Sequence, residues 1–485
     1  MNLLQMPNLV AGEWRPAGAG DRIEVRNPAD TREVVAEVPA MSAADITAVL
    51  DGAAEGARVW RRTGPLARAT VLHRAAALLR ERAEAIARDL VSEMGKTLTE
   101  ARGEVDKAAD FFDFYAAQAR MPSGYAVADA RPATTTTVRY EPVGVVVAIT
   151  PWNDPLLTPA RKVAPALSCG NAVILKPATD TPLVAWRLAQ ALADAGVPAG
   201  VFSTVTGRGS AISPALLGDD RVAAVTFTGS TEVGLALQRD LAGRNVRLQT
   251  EMGGKNAAVV LDDADLDLAA ATIAAAGFGQ AGQRCTATSR VIVTHGVAEA
   301  LVDRLLARAA ELRLGPGLAD GTTLGPVVSE RHRREVLGHI EKAAEDGATV
   351  RCGGPATTDP ALAHGCFVAP TVLTGVTRDM RIWREEVFGP VIAVHVVADL
   401  DEAIDAVNDS AFGLSASIFT TGLAATDRFL DEADTGQVAV NLPTSGWDVH
   451  HPFGGFRLSG SAFKEQGVEA LHFYTRVKTC AVRTR

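Results

Sequence analysis

Between residues 67 and 120 the apolar positions Val71, Leu72, Ala75, Leu79, Ile86, Leu90 and Met94 recur at three- and four-residue spacings. That period turns one face of a helix toward a core, so the stretch is predicted to be helical. The pattern changes at residue 121. Residues 121–139 are polar, threonine-rich (ATTTTVRY) and β-prone, and they read either as an extended excursion between two units or as a surface hairpin.

From residue 140 to 254, short β-rich runs alternate with helical ones. GVVVAIT, NAVILKP, VFSTVTG, VAAVTFTG and RLQTEMGG read as strands; LLTPARKVAPALSC, LVAWRLAQALADAG, SAISPALLG and EVGLALQRDLA read as helices between them. Strands followed regularly by helices imply right-handed βαβ crossovers and a parallel, doubly wound sheet, in which ligands sit beyond the carboxyl ends of the strands. A second α/β series starts at residue 256 with AAVVLDDADLDLAAATIAAAG and runs to about residue 440, through SRVIVTHG, a helix over 298–312, and GPVIAVHVV. It carries Cys285. Its fresh start directly after MGGK places a joint, and hence a cleft, between Glu251 and Cys285. The tail LHFYTRVKTCAVR reads as a strand and needs a partner, which the threonine-rich excursion can supply. A two-part β appendage of this kind commonly adds to a neighbour's sheet.

A chain of 485 residues accommodates about three domains, or two with an appendage. The net charge of −9 and the lack of a basic stripe argue against nucleic acid as a partner. The first residues lack a basic stretch followed by an apolar one, so no secretion signal is expected, and runs such as GVVVAIT are too short to span a membrane. Cys169, Cys285, Cys352, Cys366 and Cys480 lie far apart, are odd in number and show no metal-ligand spacing. The expectation is a reducing, cytoplasmic setting with neither a disulfide scaffold nor structural zinc.

Cys285 in GQAGQRCTATSR, with Glu251 in the separate glycine-flanked segment TEMGGKN, suggests covalent chemistry on a carbonyl carbon. Thiolate is the nucleophilic form of cysteine, and a carboxylate can serve as base for the water that releases an acyl group. A lone cysteine is more often an inert small hydrophobe. Ser230 and Thr231 can cap the helix after VAAVTF and leave its N–H groups for phosphate, although GxGxxG is absent and a plain cap explains them equally. Lys176, at a strand's carboxyl end, reads as a ribose contact or a solvated loop lysine. Asn153 reads as an oxyanion donor or a turn residue between Pro151 and Pro155.

PWN at 151–153, KPAT at 176–179, FTGSTEVG at 227–234, EMGGKN at 251–256, GQRC at 282–285, EEVFGPV at 385–391 and PFGG at 452–455 stand in one order. That order and wording resemble the aldehyde dehydrogenase superfamily over nearly the whole chain, in the flavour of the semialdehyde dehydrogenases for succinate and 2-oxoglutarate semialdehydes. The resemblance implies Cys285 as nucleophile, Asn153 with the Cys285 N–H as oxyanion site, and Glu251 as the base for hydrolytic water. It implies Thr150, Trp152, Lys176, Ser230, Glu386 and Phe388 as cofactor contacts. It also implies a dinucleotide-binding domain (1–120 and 140–254), a catalytic domain (255–440), an oligomerisation arm (121–139 and 468–485) and a return segment (441–467) at the substrate entrance. The partners so implied are a small aldehyde and further copies of the chain, as homodimer or homotetramer.

Departures from the family pattern bear on cofactor and substrate. Thr179 stands where NAD-preferring members usually carry Glu, and Arg208 in VTGRGS could meet a 2′-phosphate, so NADP is favoured over NAD. The plainer alternative is that Thr179 tolerates both cofactors and Arg208 is solvated. Arg161 replaces a frequent Trp and Arg284 precedes the nucleophile; together they suit a distal carboxylate or phosphate, unless Asp154 or Asp448 neutralises them. The favoured substrate is an anionic semialdehyde. Release of the acyl group to CoA, an apolar or aromatic aldehyde, and a non-catalytic binding protein are the rival readings; retention of both Cys285 and Glu251 argues against the last.

Overall fold

A computed structural model describes residues 4–16, 22–121, 123–354 and 360–484; Pro122 and Arg485, within the excursion and tail read from the sequence, lie outside these. Four helices open the main body: α1 (Ala43–Arg62), α2 (Pro65–Glu81), α3 (Ala83–Met94) and α4 (Leu98–Gln118). The periodicity of residues 67–120 is broken into α2, α3 and α4 by local stops. Gly95, at φ 95°, closes α3, and Thr97 opens α4 with a capping box shared with Glu100. α1 was not anticipated.

The alternating segment forms five parallel strands, β1 (Val145–Ile149), β2 (Ala172–Lys176), β3 (Phe202–Thr204), β4 (Val222–Thr228) and β5 (Arg247–Glu251). Their connections carry α5 (Leu157–Ser168), α6 (Leu183–Ala195), α7 (Gly209–Leu217) and α8 (Thr231–Leu241). The spatial order is β3-β2-β1-β4-β5. One face packs on α2, α5 and α6 through Leu72, Leu167 and Leu188, the other on α1, α7 and α8 through Val49, Ile212 and Leu237. Burial on both faces is why these strands read as continuous apolar runs. The order reverses between β1 and β4, where the loops at the carboxyl ends diverge and a crevice opens.

The second series forms seven strands, β6 (Ala257–Val260), β7 (Arg290–Thr294), β8 (Thr349–Gly354), β9 (Ala369–Thr374), β10 (Val391–Val397), β11 (Ser415–Phe419) and β12 (Gln437–Val440). Their order is β8-β9-β10-β7-β6-β11-β12, parallel except for the antiparallel β8–β9 pair. α9 (Leu266–Phe278), α10 (Ala298–Ala310) and α11 (Glu330–Glu345) help cover its faces.

Strands Gly124–Val127, Thr134–Pro142 and Thr475–Arg483 make a separate antiparallel sheet with Thr134–Pro142 in the middle. The excursion is therefore both a hairpin and the partner of the tail. The tail is only partly a strand, however: Leu471–Tyr474 is a helical turn. Adjacent Phe473 and Tyr474 are both buried, which strand alternation would not allow. No described helix is long and apolar enough to cross a membrane.

Candidate active site

A cavity of about 460 Å³ is walled by the loops after β1 and β4, by Met252 and Gly253 after β5, and by segments leading into β7 and β10. The carboxyl ends of the first sheet thus face the amino ends of the second. Cys285, Asn153, Arg161 and Arg284 stand on its wall, as do Trp152, Ser230, Glu386 and Phe388. Glu251, Thr150, Lys176, Thr179 and Arg208 stand off it.

The chain reaches Cys285 through a reversal in which Gln280, Ala281 and Gly282 all take positive φ (54°, 54° and 68°). A Cβ on Gly282 would lie 2.1 Å from the Gly389 carbonyl oxygen, so only glycine fits that approach. The Gln283 side chain pins the loop, donating from Nε2 to the Gln280 carbonyl (3.1 Å) and accepting at Oε1 from the Val328 N–H (2.9 Å). Asn256 Nδ2 donates to the Cys285 carbonyl (2.8 Å). Burial pushes the Cys285 thiol up; Arg161 is the charge that pulls it back most, while Asp154, Glu386 and Glu251 add to the rise. The resting group is therefore a thiol beside one activating guanidinium.

Asn153 is buried, and its Nδ2 donates to the Gln283 carbonyl (3.0 Å), two residues before the nucleophile. An amide carries two N–H bonds; the second makes only a long contact, 3.5 Å, to Asp154 Oδ2, which an oxyanion can replace. Its own carbonyl accepts from Lys96 Nζ (2.9 Å), which holds the loop after β1 in place.

Glu251 ends β5 and turns its carboxyl toward Gly454, where a Cβ would come within 2.5 Å of Oε1. Oε1 accepts from Gln249 Nε2 (3.2 Å), while Oε2 is buried without a partner. Burial, then the Glu465 charge, push this carboxyl well above the usual range, against Lys162, Lys464 and Arg161. A carboxyl so raised is a stronger proton acceptor than an exposed glutamate.

The residues beside the cavity fit a nicotinamide dinucleotide. Thr150 Oγ1, at the carboxyl end of β1, is buried with no partner. Lys176 is buried at the end of β2, donating only to the adjacent Pro177 carbonyl (3.1 Å), and burial lowers its pKa. Ser230 caps α8 through the Val233 N–H (3.4 Å) and lies on the wall, so the helix's positive end points at the site. Glu386 Oε1 accepts from the Gly254 N–H (2.9 Å), and a Cβ on Gly253 would strike Glu386 Oε2 at 2.2 Å. Burial pushes Glu386 up to about 7. Thr179 Oγ1 lies 3.5 Å from the Gly207 carbonyl, next to exposed Arg208, so the structure brings these two sequence-distant residues together.

Trp152 and Phe388 meet edge to face at 5.3 Å, and Trp152 also meets His332 at 5.2 Å. Phe388 takes a left-handed φ of 55°, and its carbonyl contacts His332 Nε2 at 2.8 Å.

Arg161 projects from α5. Its Nη1 is 3.1 Å from Glu465 Oε2, and the guanidinium lies 4.7 Å from the Phe453 ring centre. Glu465 also pairs with buried Lys162. Neither Asp154 nor Asp448 is the partner of Arg161: Asp154 accepts from Lys96 (3.1 Å), and Asp448 Oδ1 from the Val449 N–H (2.7 Å). Arg284 Nε donates to Gln280 Oε1 (3.1 Å).

Sequence reading missed His332, Lys107 and Glu465. His332 and Glu465 reach the site from distant segments and left no local signal. Lys107 had one: Glu100, Gly103, Glu104 and Lys107 line the cavity at helical spacings along α4, a polar stripe opposite an apolar one.

The model of the aldehyde dehydrogenase family matches residues 14–480. The α-ketoglutarate semialdehyde dehydrogenase of Haloferax volcanii is 43% identical over 473 residues, 97% of this chain and 98% of its own. The α-ketoglutaric semialdehyde dehydrogenase of Bacillus subtilis is 39% identical over 477 residues, 98% of each. Among solved structures, betaine aldehyde dehydrogenase of Staphylococcus aureus in complex with NAD+ superimposes with a TM-score of 0.96 at 32% identity, covering 99% of this chain and 95% of that one. A half-buried cysteine in a cavity bordered by a dinucleotide-type crevice is thus matched by likeness along the whole chain, which belongs to the aldehyde dehydrogenase family of NAD- or NADP-dependent enzymes.

Proposed function

We propose that the protein oxidises an anionic semialdehyde to the carboxylic acid through a thioester on Cys285. The observation that carries this reading is one cavity wall holding Cys285, Asn153 and the guanidinium groups of Arg161 and Arg284. Cys285 reacts as the thiolate, its proton released to solvent; the sulfur bonds to the aldehyde carbon, and the carbonyl oxygen takes the negative charge at the Asn153 amide and the Cys285 backbone N–H. A bound nicotinamide supplies the acceptor for the aldehyde's hydride. Thr150, Lys176, Ser230, Glu386, Phe388 and Trp152 hold and orient that cofactor. Glu251 takes a proton from the water that attacks the thioester, the C–S bond breaks, and the Cys285 thiolate is the leaving group. Glu251 reaches that water only by swinging away from Gly454.

NADP is the favoured cofactor. Thr179 places no carboxylate beside the Gly207–Arg208 turn, and the exposed guanidinium of Arg208 is free to meet a 2′-phosphate. The names of the two semialdehyde dehydrogenase relatives support a substrate carrying a distal carboxylate. The division into dinucleotide-binding, catalytic and arm domains follows the two sheets and the antiparallel arm. Exposed Tyr125, Val477 and Val482 on the arm support assembly into a homodimer or homotetramer. Five unpaired cysteines suit a reducing cytoplasm.

The test is a panel of aldehydes assayed with NAD and with NADP, following formation of the reduced nicotinamide. Succinate semialdehyde should outperform butanal, and NADP should outperform NAD. Cys285→Ala should abolish turnover while cofactor still binds. Equal rates for the two aldehydes would remove the anionic preference, and a requirement for CoA would replace water as the acceptor.

A further inference from the structure

Four lysine and arginine side chains stand on the cavity wall: Lys96, Lys107, Arg161 and Arg284. Two are already held by carboxylates. Lys96 pairs with Glu104 and Asp154, and Arg161 pairs with Glu465. The wall's other carboxylates are occupied too. Glu100 accepts from the N–H groups of Thr97 and Gln280, and Glu386 from that of Gly254. Lys107 differs. It projects from the polar stripe of α4, half-buried, and its ammonium donates to one neutral group, the Trp447 carbonyl of the segment that closes the cavity. Among the described residues it has no carboxylate within ion-pair distance.

We infer that Lys107 is the specificity-determining cation of this enzyme, holding the distal carboxylate of the substrate with Arg284 beside it. The inference rests on the anionic-substrate reading above. An ammonium has three N–H bonds, and the Trp447 carbonyl takes one, so two remain for a carboxylate entering the cavity. Burial, then the Arg161 charge, lower the Lys107 pKa against the charges of Asp448 and Asp154, and Arg284 adds to the fall; since neither carboxylate reaches ion-pair distance, a carboxylate bound at the ammonium supplies the direct contact that they do not make. Arg161 has a different part: Glu465 fixes it beside the ring of Phe453, and its charge acts on the Cys285 thiol. Among the described residues, Arg284 has no carboxylate within ion-pair distance of its terminal nitrogens, but it is tethered to Gln280 through Nε.

The experiment compares kcat/KM for succinate semialdehyde and butanal in the unsubstituted enzyme, Lys107→Met and Lys107→Arg. The ratio between the two substrates cancels any loosening of the Trp447 segment, which would slow both. Loss of one charge-assisted contact should lower the anion-to-neutral ratio about ten- to a hundred-fold in Lys107→Met. Most of the ratio should return in Lys107→Arg. Dicarboxylates such as glutarate should inhibit the unsubstituted enzyme competitively and Lys107→Met correspondingly less. If Lys107→Met slows both aldehydes by the same factor, Lys107 only braces the Trp447 segment and the inference is overturned, while the anionic reading stands. If the unsubstituted enzyme itself shows no preference for succinate semialdehyde, the underlying reading fails and takes the inference with it.

Discussion

The guanidinium of Arg161 and the carboxylate of Glu465 stand 3.1 Å apart, the arginine at the cavity and the glutamate fully buried. This pair fixes the one nearby positive charge that draws the Cys285 pKa down most strongly. Replacing Arg161 by Leu should therefore raise the thiol pKa further. Alkylation by iodoacetamide at a fixed neutral pH should slow on the order of tenfold, the effect of a one-unit shift. The measurement is the pH profile of alkylation in the two proteins; superimposable profiles would show that Arg161 does not act on the sulfur.

Glu251→Gln keeps the shape of the side chain and removes its basicity. The expected result is a burst of reduced cofactor in the first turnover, then steady-state oxidation slowed about a hundredfold or more. Stopped-flow absorbance distinguishes the outcomes. Disappearance of the burst along with the steady rate would place Glu251 in the formation of the thioester rather than its release.

Burial holds the Glu386 carboxyl at about 7, well above the range of an exposed glutamate. As a carboxylate it accepts from the Gly254 N–H and, in the proposed cofactor site, would accept from ribose hydroxyls; once protonated it accepts less well. Because the pKa is raised, the charged form fills as pH rises through 7 and empties as pH falls. Cofactor affinity should thus weaken below about pH 7, and Glu386→Gln should flatten that dependence. Titrating cofactor fluorescence from about pH 6 to about pH 8 in both proteins, roughly one unit either side of the expected midpoint, is the check.

Thr179 lies against the Gly207 carbonyl beside Arg208. Thr179→Glu introduces a carboxylate that accepts from ribose hydroxyls and repels a 2′-phosphate, so the preference should move toward NAD about tenfold or more. The ratio of kcat/KM for the two cofactors measures it. An unchanged ratio means that position 179 faces away from the ribose.

The strands of the first sheet, and β6, β7 and β10 of the second, were visible in the sequence as β-rich runs, most plainly where burial on two faces leaves them apolar, as in β1 and β2; β8, β9, β11 and β12 were not read individually, and β8 is largely exposed and carries Arg351. Cys285 and Asn153 became legible only through the order of motifs in which they stand; alone, Asn153 reads as a turn residue between Pro151 and Pro155 and Cys285 as a small hydrophobe. Other features depend on contacts between distant segments. Nothing around Arg161 announces Glu465, which comes from the far end of the chain. His332 reaches the Trp152–Phe388 pair from α11. The left-handed Phe388 could not be anticipated, since bulky residues seldom adopt that region. α1 was not read, although Ile46, Val49, Leu50, Ala53, Gly56 and Trp60 fall at three- and four-residue spacings on one face.

The antiparallel pairing of Thr134–Pro142 with Thr475–Arg483 has a consequence for how the chain is made. Glu141 and Lys478, which meet across that pairing, are 337 residues apart. At ~5–20 residues per second, a ribosome needs roughly 20–70 seconds to travel from one to the other. Throughout that interval the threonine-rich strand waits with one edge unfilled, open to the same strand on a neighbouring nascent chain. Stop codons or proteolysis that remove only the last ten or so residues would make that wait permanent, turning a loss far from Cys285 into a problem of solubility rather than of chemistry.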